Sequence, residues 1–279
     1  MNNFTVNTSA VSTNSTPQSS MLLDHVKQGA HSINFLFGLP THSYVIWLII
    51  TGTGSGVSSG FFNLNLSVCE IVNCLNSLLS VFPYFPWFSS LTYITYFGIG
   101  FAITGRPLFQ CLMCVERYLA VVHPVTFLKY KPLRYRVICC TAVWIITLGY
   151  CVCCLFTLVL LHFYIYAWIN SIQFLLFFLI QLFCLVAVLR ALKQSGPGER
   201  GRERKEENHT KRRAFHLILI TTMNMAIIYM PFTFSGFFYV LTLNMDYLPV
   251  GIICFILGGF VQPVLYLHRA GKLSCLCSP

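Results

Sequence analysis

Long apolar segments without charge alternate with short polar segments along this chain. No Asp, Glu, Lys or Arg occurs within 28–69, 71–105, 137–189, 214–245 or 247–268. A helix needs about 20 apolar residues to cross the ~30 Å hydrocarbon core of a membrane. The run 137–189 fits two crossings with a short turn, and the remaining runs, with the stretch around Arg106, supply the others. The pattern therefore predicts seven membrane-spanning helices.

The predicted fold class is an all-α membrane protein, a bundle of seven transmembrane helices over 34–267. The helices are predicted at 34–53, 61–82, 91–123, 137–161, 167–193, 211–240 and 249–267. We expect residues 1–33 to form a disordered extracellular tail, residues 194–210 a polar cytoplasmic loop, and residues 268–279 a short cytoplasmic tail.

The basic residues predict the orientation of this bundle. All Lys and Arg except Lys27 and Arg106 fall at Arg117, within 129–136 and 190–213, and at Arg269 and Lys272. An extracellular N-terminus places all of these on the cytoplasmic side, as the positive-inside tendency requires. The net charge of +10 then reflects contact with anionic membrane lipid. Nucleic acid is not needed as a partner.

Composition excludes a soluble domain. Apolar residues make up 56% of the chain and charged residues only 9%, whereas a soluble domain is roughly 25% charged. The N-terminal tail has glycosylation sequons at Asn3, Asn7 and Asn14. The 13 cysteines lie in predicted helices or in the C-terminal tail, where Cys275 and Cys277 are palmitoylation candidates.

No motif indicates an enzyme, a cofactor or a metal. The glycine-rich stretch 52–56 lacks the third glycine of a dinucleotide fingerprint and the Gly-Lys-Ser/Thr end of a phosphate loop. A flexible cytoplasmic turn explains it. Cys111 and Cys114 have metal-site spacing, but on a membrane helix we interpret them as small packing residues. No Ser/His/Asp set is visible at one membrane face.

Two ionisable residues lie deep within predicted helices, where such residues are functional candidates. Glu70 is about nine residues from the cytoplasmic start of helix two, which is ~14 Å at 1.5 Å per residue. Arg106 is about eleven residues above Arg117, which is ~16 Å. Because the two lie at one depth, we favour an ion pair between them. The alternative is that Arg106 snorkels or that water satisfies each group separately.

Five motifs, in order along the chain, resemble those of the rhodopsin-like (class A) G-protein-coupled receptors. In the second helix, Asn65-Leu-Ser-Val-Cys-Glu70 is similar to the family's Asn-Leu-Ala-x-x-Asp. The third helix ends in Glu116-Arg117-Tyr118, similar to Asp-Arg-Tyr. The other matches are Trp144 in helix four, Pro231 in helix six, and Gln262-Pro263-Val-Leu-Tyr266, which resembles Asn-Pro-x-x-Tyr. The resemblance covers about 38–272.

The resemblance implies a plasma-membrane receptor glycoprotein that transduces an extracellular signal to a heterotrimeric G protein. Its coupling switch would comprise Glu116, Arg117, Tyr118, Pro263 and Tyr266. Ligand binding would swing the inner end of helix six outward about Pro231. Arg117, released from Glu116, would then help to receive the C-terminal helix of a Gα subunit.

Several residues depart from the family's pattern. His42 holds the position of the helix-one asparagine, and Thr92 that of a disulfide cysteine. Tyr229 replaces the usual switch tryptophan near the helix-six hinge. Glu70, Arg106 and Gln262 occupy positions that resemble the family's sodium pocket. Together with His42 they form the predicted buried polar core, in which the arginine cation should exclude sodium.

The ligand stays open at this point. Ile99 stands where amine receptors have an aspartate, and Ile256 stands where opsins have a lysine, so neither a bioamine nor retinal is indicated. Aromatic residues cluster at the outer helix ends, for example Tyr96, Phe232 and Tyr239. They are typical of membrane-interface anchors, or they bind an apolar, lipid-like or peptide ligand.

Two other functions are weighed against a signalling receptor. A non-signalling or decoy relative, acting through dimerisation, would share the same motifs. A transporter or channel is disfavoured because the chain shows no paired half-repeats with broken helices.

Overall fold

The computed structural model of this chain describes residues 17–52, 56–81, 91–130, 133–160, 162–194, 202–242 and 248–269. Every regular element within these ranges is helical. Seven of the described helices are long and apolar enough to cross a membrane. The predicted all-α, seven-helix fold is therefore confirmed. The glycosylation candidates Asn3, Asn7 and Asn14 and the palmitoylation candidates Cys275 and Cys277 lie outside the described residues.

The spanning helices are numbered α1 to α7 in chain order. Helix α1 comprises Pro17–Ile33, a π-helical turn at Asn34–Gly38, and Leu39–Ile50. The next five are α2 (Gly56–Val81), α3 (Thr92–Val122), α4 (Leu133–Val159), α5 (Phe163–Gln194) and α6 (Arg202–Thr242). Helix α7 comprises Leu248–Leu257, a 3-10 turn at Gly258–Phe260, and Val261–Arg269. A short helix, Pro124–Tyr130, lies between α3 and α4.

The predicted disordered tail over 1–33 is wrong from Pro17 onward, because α1 begins there. The predicted boundary at residue 34 was placed by the length of helix needed to cross hydrocarbon. A helix can continue past the membrane surface, where its polar side chains meet water or lipid head groups. The Gln28 side chain also donates a hydrogen bond to the Val81 carbonyl at the end of α2, at 3.1 Å.

The predicted polar loop over 194–210 is also wrong for most of its length, because α6 begins at Arg202. Glu199, Glu203 and Glu207 are like charges four residues apart along the sequence, a spacing that disfavours an isolated helix. Extension of an existing helix avoids the nucleation cost, however, and each added residue gains a backbone hydrogen bond. The long apolar part of α6 therefore supports a helical extension that the segment would not form alone.

Helix α3 occupies the centre of the bundle. Its most apolar stretch is 78% buried, against 22% for the corresponding stretch of α5. One cluster of buried residues joins α3 to α2 and α4 around Phe101 and Phe109. A second joins α3 to α5, α6 and α7 around Met225 and Phe255. Groups on α3 therefore face most of the other helices.

The π-helical turn in α1 lies where α1 and α2 approach closely. Asn34, which is buried, donates a hydrogen bond to the Ser77 hydroxyl at 2.8 Å. A Cβ at Gly38 would lie 2.8 Å from Cys74 Sγ, so this approach requires glycine. Single π turns inside α-helices occur frequently at functional sites. This one fixes α1 against the polar face of α2.

Candidate functional site

Glu70 and Arg106 form a buried ion pair at the centre of the bundle. Only 2% of Glu70 and 1% of Arg106 is exposed. Arg106 Nη2 donates to Glu70 Oε2 at 2.8 Å, and Arg106 Nε donates to Glu70 Oε1. Two parallel bonds of this kind are the strongest form of an arginine–carboxylate contact. The pairing expected from equal depth is present.

The pair also connects to α7. Arg106 Nη1 donates to the Phe255 carbonyl at 2.7 Å, and the guanidinium carbon lies 4.5 Å from the centre of the Phe255 ring. In a regular α-helix this carbonyl accepts from the N–H of Gly259, but Gly259 belongs to the 3-10 turn. A Cβ at Gly259 would lie 3.1 Å from both Arg106 Nη2 and Glu70 Oε2. Glycine therefore lets the α7 backbone approach the pair.

The four residues of the predicted polar core do not form one group, because Gln262 lies apart from the Glu70–Arg106 ion pair. His42 is buried in α1, and its Nδ1 has no hydrogen-bond partner among the described residues. Gln262 lies farther along α7, where it lines a cleft of about 10 Å³ with Arg117 and Tyr266. Gln262 is thus part of the neighbourhood of the predicted coupling switch.

This cleft lies at the end of the bundle where α1, α3 and α5 finish, which we call the switch end. Arg117 from α3 and Tyr266 from α7 both line it. Leu217 and Thr221 of α6 complete its wall. At about 10 Å³, the cleft has room for a single water molecule. Among the described residues, the helices are therefore closely packed around this cleft.

The partner of Glu116 could not be foreseen from the sequence. Arg136 of α4 donates to Glu116 Oε1, and the side chains are 8% and 23% exposed. The sequence placed Arg136 only within a basic stretch that follows α3. Nearby, the Tyr118 hydroxyl and His123 Nε2 lie 3.1 Å apart. The first and third residues of the Glu-Arg-Tyr motif are thus both held by hydrogen bonds beside the cleft.

The predicted hinge lies where α6 and α7 approach closely. Pro231 lies inside α6, and a Cβ at Gly251 of α7 would be 3.1 Å from its carbonyl oxygen. Tyr229 is buried, with its ring stacked on Phe174 at 6.0 Å and edge-on to Phe255 at 5.6 Å. The Tyr229 hydroxyl has no hydrogen-bond partner within the described ranges.

A large cavity occupies the opposite end of the bundle, where α1, α3, α5 and α7 begin, and we call it the outer cavity. Its volume is about 420 Å³, within the range of ~300–1,000 Å³ typical of small-molecule sites. Asn73 and Phe255 both line it. Because Asn73 Nδ2 bonds Glu70 at 3.4 Å and the Phe255 carbonyl bonds Arg106, the ion pair supports the floor of this cavity.

The outer aromatic residues divide into two groups. Tyr96, Phe232 and Tyr239 line the cavity. Tyr93 and Phe234, in contrast, are 55% and 67% exposed on the outside of the bundle, as lipid-facing anchors would be.

Sequence reasoning did not single out the polar cavity residues Lys27, His31, Asn73, Asn76 and Ser80. Their spacing could have indicated them. Lys27 and His31 are four residues apart in α1, and Asn73, Asn76 and Ser80 are three, four and seven residues apart in α2, so each set lies on one face of its helix.

Comparison with known proteins agrees with these features. Residues 42–266 match the family described as 7 transmembrane receptor (rhodopsin family). The chain is 29% identical over 162 residues to C-C chemokine receptor type 8 of Homo sapiens, covering 49% of this chain and 40% of the relative. It is 27% identical over 220 residues to hydroxycarboxylic acid receptor 2 of Rattus norvegicus, covering 71% and 59%. The matched part spans less than two thirds of either relative, and both are receptors by name.

Proposed function

The chain belongs to the rhodopsin family of seven-transmembrane receptors and is a multi-pass protein of the plasma membrane, and we propose that it transduces an extracellular signal to heterotrimeric G proteins. The observation that carries the proposal is the position of Arg117. It lines a closed cleft with Gln262 and Tyr266, at the opposite end of the bundle from the outer cavity.

In the proposed topology, the N-terminus and the outer cavity face the cell exterior, and the switch end faces the cytoplasm. The basic residues support this orientation, because they concentrate at the helix ends near Arg117. The tail sequons at Asn3, Asn7 and Asn14 would then be accessible for glycosylation. Cys275 and Cys277 would lie on the cytoplasmic side, where palmitoylation occurs.

The proposed mechanism uses two packings of one helix bundle. A ligand in the outer cavity contacts Phe232 of α6 and Phe255 of α7. Movement of α6 about Pro231 then carries Leu217 and Thr221 away from the cleft. The widened cleft exposes Arg117 and Tyr266, which bind the C-terminal helix of a Gα subunit. Only a ligand that binds better to the open packing shifts this equilibrium.

The names of the relatives do not select one ligand class. One relative is named for C-C chemokines and the other for hydroxycarboxylic acids. A chemokine is a protein, and a hydroxycarboxylic acid is a small molecule. The choice for this chain therefore depends on the chemistry of its own outer cavity.

The test is nucleotide exchange by a panel of purified Gα subunits with the full chain in lipid nanodiscs, first without ligand. Arg117→Ala should abolish the exchange that the wild-type chain stimulates, because the cleft loses the residue proposed to contact Gα. Surface expression should be unchanged. Arg134→Ala is the matched control, since Arg134 lies in α4 near the same membrane surface but is exposed and outside the cleft. Wild-type exchange in the Arg117→Ala variant would contradict the proposal.

A non-signalling relative is the second candidate, and the Arg106 contacts favour it. Arg106 joins α3 to both α2 and α7 through charged hydrogen bonds. Such bonds are worth about 1.5–3 kcal/mol each, and they would oppose a rearrangement of α7. In that case the chain would not stimulate nucleotide exchange by any Gα subunit of the panel, with or without ligand. Stimulated exchange by any subunit would eliminate this candidate.

A further inference from the structure

The outer cavity has two chemically different sides. Its apolar side consists of residues from α3, α6 and α7, among them Ile99, Ala102, Phe232, Phe255 and Ile256. No Asp or Glu is found among the described residues that line it. An apolar wall of this extent favours a hydrocarbon or aromatic part of a ligand.

The other side is polar and belongs to α1 and α2. Lys27 and His31 lie four residues apart in α1, so they share one face of that helix. Asn73, Asn76 and Ser80 follow the facing side of α2. Lys27 is half-buried, and it is the one formal charge among the described lining residues. This side of the cavity therefore attracts an anion.

Hydrogen bonding distinguishes the two sides further. Across the cavity, the Asn170 amide donates to the Tyr166 carbonyl at 2.9 Å and accepts from Tyr150 at 2.5 Å. In contrast, His31 Nδ1 and Asn76 Oδ1 are buried without a hydrogen-bond partner in the described part of the chain. Asn76 as a whole is only 8% exposed. Because leaving such groups unsatisfied costs about 1–3 kcal/mol each, a ligand that bonds them gains affinity.

We propose that the outer cavity binds a single-chain amphiphile with an anionic head group, a carboxylate or a phosphate monoester. The head group lies between Lys27 and His31 of α1 and Asn76 of α2. The hydrocarbon chain extends over Ile99 and Phe255 on the apolar side. Asn76 Nδ2 can donate to either head group. An ionised carboxylate only accepts hydrogen bonds, whereas a singly protonated phosphate monoester also has one P–OH group that can donate to Asn76 Oδ1.

This inference rests on the proposed receptor function for its biological meaning, but its test needs no G protein. The full chain in neutral phosphatidylcholine nanodiscs is assayed for direct binding of four ligands that share one tail. They are decanoate, decyl phosphate, decanol and decyltrimethylammonium. At least one of the two anions should bind about ten- to hundredfold more tightly than decanol, the range expected for one charge-assisted hydrogen bond. The cation should bind most weakly. The preferred anion identifies which head group the site takes.

Substitutions then locate the head group. Lys27→Met keeps the length of the side chain and removes its charge, so it should weaken binding of the preferred anion about tenfold or more and leave decanol unchanged. Lys27→Arg should restore the preference for the anion. Lys193→Met is the matched control, because Lys193 is an exposed lysine at the other end of the bundle. It should change neither affinity.

A second variant tests the site of the tail. Ala102→Phe places a ring in the buried apolar side of the cavity and should weaken binding of the anion and of decanol alike. Melting temperature in the same nanodiscs verifies that each variant is folded. If Lys27→Met and wild type bind the anion equally, or if decanol binds as tightly as both anions, the proposal is wrong. Binding without stimulated nucleotide exchange would contradict the coupling proposal alone, and exchange without binding would contradict this one alone.

Discussion

The outer cavity and the cleft beside Arg117 differ about forty-fold in volume. The outer cavity has a volume of about 420 Å³, whereas the cleft beside Arg117 has about 10 Å³. The same helices α3, α6 and α7 contribute to both. In this structure the helices therefore enclose a cavity at one end and pack together around Arg117 at the other.

The layer between the two regions explains how one can be open while the other is closed. Glu70 and Arg106 join α2, α3 and α7 below the outer cavity, through Asn73 and Phe255 of its floor. Close packing of α6 on α7 at Gly251 lies near the same level as the Pro231 hinge. Substitutions in this layer and at the switch end therefore test what maintains the difference between the two regions.

The largest effect is expected from the buried pair. Glu70→Gln or Arg106→Gln alone leaves one charge buried without its partner, which typically costs ~3–5 kcal/mol. Each single variant should express poorly and melt early. The outer cavity should also lose ligand binding, because the ion pair that supports its floor is broken. The double variant Glu70→Gln/Arg106→Gln leaves no charge and should recover much of the stability. Thermal melting of all four forms gives the coupling energy.

If the stability losses of the two single variants simply add in the double variant, the two residues do not interact. A recovered double variant with normal ligand binding would instead show that the cavity floor needs packing at these positions and not the charges.

An intermediate effect is expected from glycine substitutions around the hinge. A Cβ at Gly251 would lie 2.8 Å from Phe232 Cα, so Gly251→Ala should cost about 1–3 kcal/mol through overpacking. Gly236→Ala is the matched comparison one turn beyond the hinge. Its Cβ would meet only Ala167, at 3.9 Å, and alanine favours a helix by about 1 kcal/mol. Melting temperatures should fall for the first variant and stay level or rise for the second.

Equal destabilisation by the two alanines would mean that α6 is packed as tightly at the outer cavity as at the hinge. The contrast between the two regions would then not depend on close packing near Pro231.

The smallest effect is expected at the switch end. Arg136→Gln removes the ion pair with Glu116, which we expect to stabilise the packing around Arg117 described here. Because a partly exposed pair is worth up to about 1 kcal/mol, ligand-free nucleotide exchange should rise by about fivefold at most. Arg134→Gln, at an exposed position two residues away, should leave exchange unchanged. A fall in exchange with Arg136→Gln would mean that this pair supports the open form.

The depth of the buried pair could be derived from the sequence because charges inside an apolar run are few and the helix rise is constant. The sequence therefore placed Glu70 and Arg106 at one level and favoured an ion pair, which the structure contains. The lengths of α1 and α6 could not be derived in this way. Charge marks where a helix leaves hydrocarbon, whereas the helix itself ends where its backbone hydrogen bonds end.

Side-chain partners across helices depended on the tertiary structure. The sequence placed Glu116, Arg117 and Tyr118 at the end of the third helix, but not Arg136 opposite Glu116, since that contact depends on how α3 and α4 are rotated and offset. The placement of Gln262 beside Arg117 depends likewise on the 3-10 turn in α7.

The seven helices, their membrane environment and the family could all be predicted from the amino-acid sequence, because hydropathy and short motifs are local properties of the chain. The tertiary structure was needed to find the cavity beside Lys27, the small cleft beside Arg117 and the bond from Arg106 to the Phe255 carbonyl. Each of them requires side chains from separate helices to meet. The rotation and spacing of packed helices follow from the packing of the whole bundle, which no single segment encodes.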